Sequence, residues 1–174
     1  MDFEEKTVKA EYIYKGKILN LRRDEITLPD GNPAIREIVE HSGGSSILCE
    51  KDDKIFLVRQ FRYPFKEVVL EIPAGKLNKG EDPLETAKRE LSEEAGIIAE
   101  RMEKIFEIYP STGYTEEKIY IYRTCGKITE SKTHLDADEF LSGKWYDKKE
   151  VKKMVDNGEI KDAKTLIALL YALK

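Results

Sequence analysis

The chain is poor in the residues on which several classes of function depend. Only two cysteines occur in 174 residues, Cys49 and Cys125, both in apolar, strand-like runs. So few cysteines exclude a disulfide-dense secreted scaffold and point to buried free thiols in a reducing compartment. The only histidines are His41 and His134, which argues against a His-rich zinc site and against a histidine base. No apolar run approaches the roughly 18 residues that a membrane span requires. The opening MDFEEKTVKA has no apolar stretch of the signal-peptide kind. Lysine and arginine do not outnumber aspartate and glutamate. The net charge is -4 and no basic stripe is present, so nucleic acid is not an expected partner. These absences lead to the expectation of a soluble, cytoplasmic protein with no membrane partner. An acidic chain that handles phosphates must bring local arginine, lysine or a metal ion to do so.

Hydrophobic residues make up 40% of the chain, enough for a sizeable core. Strands are expected over 8–14, 18–28 and 34–41, with a turn at Pro29-Asp30-Gly31-Asn32. This gives an N-terminal β unit over residues 1–42, followed by a main domain over 43–174. In the main domain, strands are expected over 45–50, 54–62 and 67–72, then near 102–109, 117–124 and 140–146. Helices are expected near 83–95, 148–156 and 162–173. Strands and helices without regular βαβ alternation make the fold class α+β.

The helix near 83–95 carries the most chemistry. Asp82 suits its N-cap, Pro83 its first position, and Glu85 completes a capping-box-like pattern. Gly96 supplies the stop. At about 100° per residue, Leu84, Ala87, Leu91 and Ala95 form one apolar stripe. Glu90 and Glu94 are neighbours beside it. Adjacent anions are unfavourable on an isolated helix and make sense around a hard cation. Arg89 falls on another face, within reach of Glu85 and Glu93.

Gly75-x5-Glu81-x7-Arg89-Glu90-Leu91-x-Glu93-Glu94-x-Gly96-Ile97 resembles the Nudix box at every fixed position. Seven fixed identities arise by chance in such a chain on the order of once in 10^5. The resemblance implies a Nudix-type α/β/α sandwich with a mixed sheet, preceded by the small antiparallel β unit. It implies Mg²⁺ or Mn²⁺ held by Glu90, Glu94, Glu93 and the carbonyl of Ala74, with Glu81 and Arg89 orienting loop and helix.

Three flanking segments resemble the ADP-ribose pyrophosphatase branch: Val58-Arg59-Gln60-Phe61-Arg62-Tyr63-Pro64, Leu70-Glu71-Ile72-Pro73-Ala74-Gly75, and Tyr109-Pro110-Ser111-Thr112-Gly113-Tyr114-Thr115-Glu116-Glu117. The implied reaction is hydrolysis of ADP-ribose to AMP and ribose 5-phosphate. Arg62 and Arg36 are the candidate diphosphate contacts, because a guanidinium can grip phosphate oxygens with two donors. The resemblance also implies a homodimer through the N-terminal β unit.

The proton acceptor is expected among carboxylates, and relatives take it from an acidic loop before the last strand. Here that loop is Asp136-Ala137-Asp138-Glu139. Glu139 is the first choice, with Asp138 and Asp136 behind it. The box glutamates Glu93 and Glu94 complete the candidate catalytic set. Ala137 stands where relatives can carry a second glutamate. The alternatives are a Nudix hydrolase for another nucleoside diphosphate linked to X (a sugar nucleotide, NADH or a dinucleoside polyphosphate) or a non-catalytic ADP-ribose-binding module. No NADH-type array follows the box.

Overall fold

In a computed structural model, the structure describes residues 3–135 and 140–174. The chain forms two compact units, divided between Gly43 and Gly44. The first unit also takes in Tyr109–Lys118, a segment far along the chain from its other strands.

The first unit is a three-stranded antiparallel sheet in the order β1 (Lys6–Lys15), β2 (Leu19–Thr27), β3 (Pro33–His41). The turn between β2 and β3 closes through Gly31 N–H on the Leu28 carbonyl, 2.9 Å, where the Pro-Asp-Gly-Asn signal predicts it. Every residue of β1 is exposed. The segment Tyr109–Lys118 runs along β3. Val39 N–H donates to the Tyr114 carbonyl at 2.7 Å, and Glu116 N–H donates to the Val39 carbonyl at 3.0 Å. Arg22 fastens the same segment from β2, donating to Asp24 (2.9 Å), Glu40 (2.5 Å) and Glu116 (3.2 Å). Asp24 is buried, and a buried carboxylate needs such a partner.

The second unit is an α/β/α sandwich. One mixed sheet has the order β8 (Ala74–Lys76), β4 (Gly44–Leu48), β10 (Ile119–Glu130), β9 (Ile97–Ile108), with β4 and β10 parallel. A second sheet has the order β11 (Leu141–Asp147), β6 (Lys54–Arg62), β5 (Glu50–Lys51), with β7 (Glu67–Glu71) also paired to β6. The helices are α1 (Pro83–Ala95), α2 (Lys148–Asp156) and α3 (Ala163–Ala172).

Side-chain alternation along the strands explains the layers. Ile47 and Cys49 join Phe56, Val58, Ala87 and Leu91 in the core under α1. Leu48, Ile55 and Leu57 point the other way, into the core shared with Val151 of α2 and Ala168 and Leu169 of α3. The strands therefore read as continuous apolar runs because both their faces are covered. Cys49 and Cys125 are both free, and burial pushes the Cys49 thiol up to about 12. Among the described residues, no helix is long and apolar enough to cross a membrane.

Several strands differ from expectation. β9 begins at Ile97 and β10 continues to Glu130, so both are longer than their apolar stretches suggest. They pair with each other in antiparallel fashion over most of their length, and this ladder takes in charged positions such as Arg101, paired with Cys125, that hydrophobic patterning does not register. β8 is three residues long, too short for patterning to detect.

Candidate metal and diphosphate site

Helix α1 starts and stops as its sequence predicts. Asp82 Oδ1 accepts from the N–H groups of Leu84 (2.9 Å) and Glu85 (3.3 Å). Gly96 adopts a left-handed φ of 62° at the other end. The reciprocal half of the capping box does not form, because the Glu85 carboxylate is taken by Lys88 at 2.7 Å. Ala87 and Leu91 are fully buried, which fixes the rotation of the helix about its axis.

That rotation turns Glu90 and Glu94 onto β8. Both are buried, at 6% and 4% exposure. Glu94 Oε2 accepts from the Ala74 N–H at 2.9 Å. The Glu90 carboxylate lies directly over Gly75, where a Cβ would overlap it. Gly75 is therefore required by close approach: only a residue without a side chain leaves room for that carboxylate.

Arg89 organises the other edge of the helix. Its Nε and Nη2 hold Glu81 at 3.0 and 3.3 Å, and its Nη1 donates to Glu90 (2.6 Å) and Glu93 (2.9 Å). The structure therefore corrects one expected pairing: Arg89 takes Glu81 and Glu93, and not Glu85, which Lys88 holds. Glu81 also accepts from the Asn78 N–H at 3.0 Å, so the arginine ties the loop before the helix to the helix itself. These bonds hold the Glu81 carboxyl down at about 2. The Arg89 guanidinium is raised further above its usual range, chiefly by the hydrogen bond to Glu81.

Among the described residues, no three His, Cys, Asp or Glu side chains converge into a metal cage. Glu90 and Glu94 stand together against β8, whereas Glu93 is turned to Arg89 and is partly exposed. Two buried carboxylates over a glycine still suit Mg²⁺ or Mn²⁺. Mg²⁺ usually binds through one or two carboxylates, with substrate phosphates and water supplying the rest.

Arg62 belongs to the same unit. Its Nε and Nη2 grip both oxygens of Glu71, at 2.5 and 2.7 Å. Burial works against the charged form of Glu71, but the bonds from Arg62 and Lys164 outweigh it and lower its pKa. Arg36 lies in the first unit, on β3, with its fork on Glu5. Asp136, Ala137, Asp138 and Glu139, the expected source of the proton acceptor, lie outside the described residues. Sequence reasoning missed Lys164, Asp162 and Thr165. The available signal was a lysine in the first turn of an otherwise apolar helix, α3.

The NUDIX domain profile matches residues 40–169, three quarters of the chain, and so spans all of these groups except Arg36. The chain belongs to the Nudix family. As a Nudix hydrolase it carries a second match, over residues 5–39, to the nucleoside diphosphate sugar hydrolase N-terminal domain. It is 41% identical to the ADP-ribose pyrophosphatase of Bacillus subtilis (strain 168), over 97% of this chain and 92% of that one. It is 40% identical to the methanol dehydrogenase activator of Bacillus methanolicus, again over 97% and 92%. A solved structure titled as an ADP compounds hydrolase shares the fold of this Nudix hydrolase. Its TM-score is 0.85 at 17% identity, covering 99% of this chain and 94% of that one.

Proposed function

We propose that this Nudix hydrolase cleaves the diphosphate of ADP-ribose to AMP and ribose 5-phosphate. The observation that carries the reading is the pair of buried carboxylates, Glu90 and Glu94, seated on Ala74 and Gly75. The near-full-length identity to an ADP-ribose pyrophosphatase supports the choice of substrate.

Nudix hydrolases generally depend on divalent metal. Here Glu90 and Glu94 would hold Mg²⁺ or Mn²⁺, together with the Ala74 carbonyl and with Glu93 at the margin. When bound, the ion offsets the charge of the diphosphate and makes water more acidic. The protein's own groups do the rest. Arg62 grips the diphosphate through paired N–H groups, and Arg36 is a second contact from the first unit. Glu139 takes the proton of the attacking water, with Asp138, Asp136, Glu93 and Glu94 as the other carboxylates available for that role. Replacing Glu139 by Gln lowers turnover by about tenfold or more, as loss of a general base does, without moving the melting temperature.

The protein works in the cytoplasm as a homodimer built on its first unit. That unit exposes Val8, Ile13, Tyr14, Ile18 and Ile35, apolar area that a second copy would cover. Sedimentation at micromolar concentration tests this, and a monomer would remove the dimer.

The substrate is tested by phosphate release from ADP-ribose, a sugar nucleotide, NADH, NAD⁺ and a dinucleoside polyphosphate, with phosphatase coupling and Mg²⁺ or Mn²⁺. Preference for any member other than ADP-ribose overturns the substrate. Binding of ADP-ribose without turnover of any member overturns the hydrolase.

A further inference from the structure

Glu71, at the end of β7, is 2% exposed, and none of its cationic partners is a near neighbour in sequence. Arg62 reaches it from the end of β6 through Nε and Nη2. Lys164 reaches it from α3, with Nζ 2.6 Å from Oε2. Lys164 also lies 3.0 Å from Asp162, the N-cap of the same helix. The side chains of Glu71, Lys164 and Arg62 are 3%, 11% and 39% exposed, so Arg62 is the outermost member of the trio.

Two features of this arrangement bear on diphosphate binding. The first is geometric. Glu71 occupies the lateral edge of the guanidinium, Nε with Nη2. A planar guanidinium has a second bidentate edge, formed by its two terminal nitrogens, and a side chain held laterally presents that edge outward in a fixed plane. The second is electrostatic. A carboxylate that faced Arg62 alone would cancel the charge a diphosphate must feel. Lys164 shares that carboxylate, so Glu71 does not depend on Arg62 alone, while Asp162, 3.0 Å from Lys164, sets a second anion against the two cations. A trio of this kind also avoids the cost of a buried carboxylate with a single partner that must serve another ligand.

We infer that Glu71 and Lys164 are positioning residues that hold Arg62 laterally, leaving its terminal edge for the substrate diphosphate. This rests on the reading of Arg62 as a diphosphate contact. Neither residue touches substrate. Both act through Arg62 and set how tightly any nucleoside diphosphate linked to X is gripped, whatever X is.

The test measures binding of inorganic diphosphate to the full chain with Mn²⁺ by calorimetry, and KM and kcat for ADP-ribose in parallel. Lys164→Met is expected to weaken diphosphate binding by ~10-fold, the worth of one charge-assisted hydrogen bond, and to raise KM more than it lowers kcat. Arg62→Ala is expected to weaken it at least as much. The double variant should bind no more weakly than Arg62→Ala alone, and Lys164→Arg should recover most of the loss. Glu71→Gln gives a second route to the same comparison if Lys164→Met does not fold. Losses that multiply in the double variant, or unchanged binding in Lys164→Met, overturn the positioning role. Unchanged binding in Arg62→Ala removes Arg62 as the contact and the inference with it. If ADP-ribose is not hydrolysed but the diphosphate pattern holds, only the substrate reading falls.

Discussion

Arg89 and Arg62 each hold a glutamate with a forked guanidinium, but their partners arrive by different routes. Arg89 collects Glu81, Glu90 and Glu93, all within one loop and one helix. Arg62 meets Glu71 across a strand pair, and their third member, Lys164, comes from a helix 93 residues beyond Glu71. The first cluster is partly exposed and lies within one short stretch of chain. The second is mostly buried and exists only once β6, β7 and α3 have packed. Local geometry therefore builds the edge proposed for the metal, and tertiary packing builds the edge proposed for the diphosphate.

The sharpest way to test that division is Glu94→Gln. Glu94 accepts from the Ala74 N–H of β8, a bond that the side-chain oxygen of glutamine can keep, so turnover should fall by about 10^3-fold or more while stability changes little. A matching loss of melting temperature would break the division. Gly75→Ala should act on the same edge by steric means. Its methyl group would displace the Glu90 carboxylate, weakening Mn²⁺ binding measured by calorimetry by about 10–100-fold, the cost typical of disturbing a metal site's supports.

Thr165→Val probes the other cluster. Thr165 is fully buried, donates to Asp162 at 2.6 Å and accepts from the Ile72 N–H at 2.9 Å. Valine leaves that N–H buried without its acceptor, so chemical denaturation should show a loss of about 1–3 kcal/mol. Metal affinity should be unaffected. The smallest effect concerns acid. The Glu81 carboxyl is lowered from an ordinary 4.5 to about 2, so its pairing with Arg89 stabilises the fold fully above about 4.5. That contribution is lost as the pH falls from there through about 2. The stability gap between wild type and Glu81→Gln should therefore be constant at neutral pH and close across that acid window. A gap that closes above pH 6 would mean another group is responsible.

How far the site was legible follows the same division. Asp82, Pro83, Gly96 and the stripe of Leu84, Ala87 and Leu91 are local signals, and α1 formed where they predict. Glu90 and Glu94 were legible because their helical spacing puts them side by side. The expected pairing of Arg89 with Glu85 failed because the long Glu81 side chain, outside the helical register, reaches back to the guanidinium. Glu71 lay in a recognised segment, but nothing in that segment indicates a lysine from α3. The first unit's claim on Tyr109–Lys118 was hidden for the same reason, since its bonds to Val39 depend on strand pairing between distant parts of the chain.

The placement of Lys164 on α3 also has a consequence for biosynthesis. The box, the β8 glycine and Arg62 are all translated well before α3. Until α3 is made, Glu71 has only Arg62 of these two cationic partners. The contact of Lys164 with Glu71 forms only when α3 docks, so the pair proposed for metal and the trio proposed for diphosphate are completed by different segments of the chain. The order of synthesis separates the two halves of the site in time, as the fold separates them in origin.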